Sequence, residues 1–166
     1  LRSSAVGEDG DLSYAGQYLT MLGVRFPDLN EAYKAVIASL YSARSLSYRS
    51  SKGVLDEHLA MAVACLEMVD SIASGVLYTR HPYNIVDENI LINAVWGLGP
   101  YAVDGVIIPD SYAVSKDEAL TIQKKTISNK PVQLKLNPEG GVEEWPVPAE
   151  EQQAPCLSDA QIRQLA

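Results

Sequence analysis

Arg2 stands at the head of a polar, glycine-dotted stretch, RSSAVGEDGDLSYAGQY, that runs to Tyr18. A guanidinium followed by glycine turns is material for a phosphate site. Glycine admits the dihedrals and the close approach that let main-chain N–H groups face an anion. A fixed cation stabilises the charge on a transferring phosphoryl group. Ser13, Tyr14, Ala15, Gly16 and Gln17 form a candidate loop for closing over such an anion, with Gly16 giving access. Neither GxxxxGK[ST] nor GxGxxG is present, which excludes a Walker loop and a dinucleotide fingerprint. The same composition also serves an ordinary turn.

The remaining reactive side chains are scattered. Glu8 and Asp9, Asp87 and Glu88, and Glu143 and Glu144 are adjacent pairs suited to solvent or to turn caps, with no paired-carboxylate spacing between them. His58 and His81 stand apart, with no triad or metal cluster around either. Cys65 lies in an apolar run that reads as buried packing. Arg44, Tyr48 and Arg49 fall where a helix is expected to end, and cations there favour the helix dipole.

The 166 residues suffice for one domain, or part of one, with a sizeable core. An apolar share of 47% indicates a globular chain. The net charge of −8, with only thirteen scattered lysines and arginines, argues against a nucleic-acid surface. Two distant cysteines give neither a disulfide framework nor a zinc motif, and fit a reducing cytoplasm. No signal peptide or apolar run of membrane-spanning length is found, so neither a membrane nor nucleic acid is an expected partner. The first residue is Leu, which fits either processing or an excised piece of a longer chain.

The elements that must position these groups follow from periodicity. Residues 18–24 read as a short strand, and PDLNEAYKAVIASLYSARSLSYR as one helix with an Asp28/Glu31 capping box. Ala32, Val36, Leu40 and Ala43 would form its apolar stripe. Residues 59–69, apolar on both alternating faces, suit a strand in the middle of a sheet. SGVLYT, ENILINAVWGLG, DSYAVSK, EALTIQKKTIS and KPVQLKLN read as further strands. Pro100 to Gly105 suits a short helix. A Pro/Gly/Glu-rich loop is expected over residues 137–157, followed over 158–166 by the start of a truncated helix capped by Ser158 and Gln161.

In this order, RSSAVGEDGDLSYAGQYLTMLGV, SLYSARSLSYR, MAVACLEMVDSIASGVLYTRHP, NAVWGLG, PDSYAV and PCLSDAQIRQLA resemble the N-terminal nucleotide-binding region of the phosphoenolpyruvate synthase and pyruvate phosphate dikinase family. The resemblance covers nearly the whole chain and implies an α+β fold of ATP-grasp type, incomplete, over residues 1–166. It implies that Arg2 contacts the ATP phosphates and supports phosphoryl transfer, and that residues 13–17 cover those phosphates. It further implies that the strand backbone of Glu67, Met68 and Val69 reads the adenine edge, and that Arg80 lies near the nucleotide cleft. Leu66 and Pro100 depart from the family's usual glutamine and glutamate. The family's phosphate-binding lysine and its Mg²⁺ ligands match no residue here, so no metal ligand is expected in this chain and an inactive fragment is. The implied reaction is ATP- and Mg²⁺-dependent phosphorylation of a histidine on a separate phosphohistidine domain, then transfer to pyruvate. Related dikinases use an antibiotic or a glucan as acceptor, and a non-catalytic nucleotide- or partner-binding module is the reading from another class.

Overall fold

The computed structural model describes residues 1–6, 16–53, 60–82, 84 and 86–166. Ser13, Tyr14, Ala15 and His58 therefore lie outside the described residues. The chain is α+β and divides into two units, residues 1–69 with 137–141, and residues 70–136 with 142–166.

In the first unit, β1 (Arg2–Ala5) pairs antiparallel with β2 (Met61–Ala64), Arg2 opposite Ala64 and Ala5 opposite Met61. Ser3 and Ala5 are buried, while Arg2 and Ser4 face outward, as the two-residue strand period requires. Residues 18–24 do not form the expected strand; Thr20 alone makes an isolated bridge to Arg2. The strand expected over 59–69 is shorter: within the described residues the ladder ends at Ala64, and 65–70 carry no strand. Cys65, read as buried packing, is exposed.

The single helix expected after Pro27 is two helices, α1 (Leu29–Ala38) and α2 (Ala43–Lys52), joined by a 3₁₀ turn over Ser39–Tyr41. The reason is local. Ser39 Oγ donates to the Val36 carbonyl, and Ser42, in an extended conformation, accepts from Ser45 N and starts a new helix. Serine oxygens near backbone groups favour caps over continuation. Ala32, Val36 and Leu40 are buried as the stripe predicts, whereas Ala43 opens α2 and is exposed. The Asp28/Glu31 box does not form: Arg25 Nε holds Asp28 at 2.9 Å and Lys34 holds Glu31 at 2.7 Å.

The second unit is built on an antiparallel sheet in the order β3 (Ala73–Tyr78), β4 (Ile90–Trp96), β5 (Asp110–Val114), β6 (Ile122–Thr126). Ile90, Ile92, Ala94, Tyr112 and Val114 on β4 and β5 form its core with Cys156 and Ile162. Ile162 lies in α4 (Asp159–Leu165), whose Ser158/Gln161 capping box is formed as expected. The short helix predicted from Pro100 is α3 (Pro100–Val103). A hairpin joins β7 (Val132–Leu136) to β8 (Val142–Pro146), so the region expected to be a loop over 137–157 contains a strand. Gly97 has φ +71, and a Cβ there would lie 2.3 Å from the Leu134 carbonyl oxygen. Leu98 N donates to that same carbonyl at 2.8 Å, so glycine is what lets the turn after β4 reach β7.

Candidate functional site

Arg2 is fixed along the chain by backbone contacts on both sides. It faces Ala64 in the ladder and bridges to Thr20, while Leu1 and Met21 exchange backbone hydrogen bonds of 2.7 and 2.9 Å. Its guanidinium is exposed and makes no ion pair with a described residue. Three residues beyond Ala64 lie Glu67, Met68 and Val69. They are not in a strand, contrary to expectation, and their main-chain N–H and C=O groups make no hydrogen bond to a described residue. Buried backbone groups are nearly always paired; here a short run of exposed or half-buried main chain stays available on both its donor and acceptor sides. Met68 is half-buried, and its Sδ accepts from Gly23 N at 2.9 Å.

Gly16 and Gln17, the described end of the glycine-dotted loop, also belong to this unit. Gly16 has φ +70, and its carbonyl accepts from Arg44 Nη1 at 3.0 Å. Arg44 is thus no C-terminal dipole partner. It occupies the first turn of α2, from which its side chain holds the loop. The sequence signal for this was the Ser42 cap, which sets the helix start. Gln17 is half-buried, and its Oε1 is a buried acceptor with no donor among the described residues. Arg49 does lie in the last turn of α2, but it is buried, donating through Nη1 to the Leu40 carbonyl and Ser45 Oγ. That contact ties α2 to the 3₁₀ turn that precedes it.

A cavity of about 440 Å³ in the same unit is bordered by residues 21–25, by Glu31, Ala32 and Ala35 of α1, and by residues 139–141. None of the expected ATP residues lines it; Met68 reaches only its Gly23 wall. Arg80 follows β3 in the other unit and is exposed. Neighbouring His81 accepts from Asn84 N through Nδ1 at 3.1 Å, which closes a turn.

The second unit contains a polar centre that the sequence reading missed. Asp110 Oδ1 accepts from Lys130 Nζ at 2.6 Å and from Ser128 N at 2.9 Å. Its Oδ2 accepts from the Tyr112 hydroxyl at 3.0 Å and from Cys156 N at 2.9 Å. Burial alone would raise the Asp110 pKa, but the Lys130 ammonium and the two backbone donors outweigh it and hold the carboxyl below its usual value. Burial, then the Asp110 charge, push the Tyr112 hydroxyl well up and the Cys156 thiol up to about 12. With every partner satisfied internally, this cluster orders residues 128–130 and 156 around β5.

Among the described residues, no three His, Cys, Asp or Glu side chains gather to hold a metal ion, and no helix is long and apolar enough to cross a membrane. A family model for the pyruvate phosphate dikinase AMP/ATP-binding domain matches residues 1–166. The chain belongs to that family. Among curated members, phosphoenolpyruvate synthase of Aeropyrum pernix is 37% identical over 193 aligned residues, taking in all of this chain and 23% of that protein. Rifampicin phosphotransferase of Streptomyces sviceus is 36% identical over 99% of this chain and 19% of its own length. The prodigiosin synthesizing transferase PigC of Serratia marcescens is 34% identical over all of this chain and 18% of its own length. The chain spans about a fifth of the length of these relatives.

Proposed function

We propose that residues 1–166 are part of an ATP-grasp module that binds ATP for a cytoplasmic phosphotransferase resembling phosphoenolpyruvate synthase. The observation that carries this reading is the open main chain of Glu67, Met68 and Val69, three residues past the strand that pairs with Arg2. An unpaired amide and carbonyl can read the edge of adenine as a second base would, and Met68 and Val69 supply apolar surface beside them. The exposed Arg2 guanidinium meets the phosphates, where a charge fixed in place lowers the barrier to phosphoryl transfer without reorganising. Ser13, Tyr14, Ala15, Gly16 and Gln17 cover those phosphates, with Arg44 holding the Gly16 carbonyl. Arg80, in the other unit, is assigned to nucleotide binding on the resemblance alone.

Mg²⁺ would neutralise charge between the phosphates when bound; none of the described residues is assigned to it. In the whole protein, the phosphoryl group passes to a histidine of a phosphohistidine domain and then to pyruvate. The rifampicin phosphotransferase and PigC similarities favour a second reading, in which the same module serves another final acceptor.

Calorimetric titration of ATP into the wild type and Arg2→Ala tests the site. Losing a charge-assisted hydrogen bond costs about 1.5–3 kcal/mol, so affinity should fall roughly 10- to 100-fold with the circular dichroism unchanged. Equal affinity in the two proteins removes Arg2 from the site. The acceptor is read separately, by following phosphate from ATP in the full-length protein with pyruvate or rifampicin supplied.

A further inference from the structure

In the sheet-based unit, β3 is an edge strand among the described residues, and its sequence leaves that edge unguarded. The opposite edge, β6, carries the exposed lysines Lys124 and Lys125 and a register shift against β5. Charges and irregularities of this kind keep an edge from pairing with another chain. From Ile72 to Thr79 there is neither a charge nor a proline. One contact fixes the phase of the open backbone: the Ile72 carbonyl accepts from Gly97 N at 2.8 Å. Ile72 and the even-numbered residues after it therefore turn their backbone groups toward β4, and Ala73, Gly75 and Leu77 turn theirs outward. Those outward groups make no hydrogen bond to a described residue.

Charge and apolar surface are placed along this edge so that it complements itself. Asp70 stands before β3 and Arg80 after it, both exposed, so an antiparallel copy of the strand brings each toward the opposite charge. Only registers that set odd-numbered residues against odd-numbered ones can join the open groups. Of these, the one centred on Gly75 places Ala73 opposite Leu77, Ile72 opposite Tyr78, and Asp70 level with Arg80. Ile72 is 82% exposed and Tyr78 38%, and a β-branched side chain across from an aromatic one is a favourable pair. A cavity of about 190 Å³ lies beside β3, with Ala73, Gly75 and Leu77 on its β3 wall and Leu157 and Leu165 among the residues across it. We propose that β3 joins β3 of a second copy of this chain, antiparallel about Gly75, extending the four-stranded sheet across a two-fold axis. Leu77 of each copy then meets the Ala73 end of the other's cavity. Two six-residue strands cover less than the roughly 1,200–2,000 Å² of a stable interface, so the dimer is weak and reversible. The inference does not rest on the nucleotide reading above.

Sedimentation equilibrium of the 166-residue chain reads the association. Expected is a monomer–dimer equilibrium in the micromolar range, weakened at least about tenfold by Leu77→Pro. The Leu77 N–H faces outward, so proline there blocks the partner strand without taking a bond from the β4 ladder, and circular dichroism checks the fold. The register is read independently by Ile72→Cys/Tyr78→Cys in a Cys65→Ser background. These positions lie about 20 Å apart along one strand but face each other between copies. Mild oxidation should therefore give a covalent dimer from the double variant and none from either single variant. Should Leu77→Pro unfold, the cross-link decides. A wild type that stays monomeric to about 500 μM overturns the proposal and leaves the edge to an extended segment of another protein. So does a dimer that a folded Leu77→Pro leaves at full strength, or a double-cysteine variant that cross-links no better than the single ones.

Discussion

Asp110 and Lys130 form an ion pair with no solvent access, Nζ 2.6 Å from Oδ1 and both side chains 0% exposed. They lie twenty residues apart in the chain, so the pair closes a loop spanning β6 as well as binding two charges.

Removing one partner strands the other charge inside the protein. Asp110→Asn or Lys130→Met should each cost about 3–5 kcal/mol in urea denaturation, whereas the Asp110→Leu/Lys130→Met double variant should regain much of that loss. The pH dependence has a definite sign. The folded pKa of Asp110 lies below its ordinary 3.8, so its contribution is complete above that value and disappears as pH falls through the lower folded one. Acid unfolding midpoints should therefore shift upward when the Ser128 or Lys130 donors are weakened. Stability that stays flat between pH 5 and pH 2 would contradict the assignment.

The two cysteines should differ in reactivity. Cys156 is buried beside Asp110 with its thiol pushed up to about 12, while Cys65 is exposed. The thiolate is the reactive form. At pH 8 a thiol reagent should modify one equivalent in the native protein and two after denaturation. Labelling of both thiols at equal rates would show that the Asp110 centre opens readily.

Arg44 reaches Gly16 from an exposed position, so Arg44→Ala should move stability by no more than about 0.5 kcal/mol. Its effect should appear in ATP affinity, through a loop left free to wander. A wild-type titration curve for Arg44→Ala would reduce the contact to surface decoration.

Gly23 has φ +63, and a Cβ on it would stand 2.1 Å from the Gly141 carbonyl oxygen, whose own N–H donates to Gly23. Gly23→Ala should cost more than about 1 kcal/mol, because both the dihedral and the contact must yield. Thermal melts read it directly.

Much of the second unit is legible from local pattern. ILINAVW and DSYAV carry the β-branched and alternating residues that become β4 and β5, and Ser158 with Gln161 announces α4. Where residues act over distance, pattern is silent. Nothing in the spacing of Asp110 and Lys130 shows that they meet in the interior, and VEEWP becomes a strand only because β7 pairs with it. Helical period runs unbroken through residues 38–44, so the break made by Ser39 and Ser42 was hidden, and with it the place of Arg44. In the first unit, the resemblance supplied Arg2 and residues 67–69, but no period revealed that the latter leave their backbone groups open.

The β1–β2 ladder sets more than the path of the chain. Because outward and inward positions alternate, a slip of one residue would turn the Arg2 guanidinium toward the face now filled by Ser3 and Ala5. A hydroxyl and a methyl group, too small to attract notice, thus act as the proofreaders of the cation's aim. Misregistered molecules would be charged on the wrong side before any nucleotide arrived.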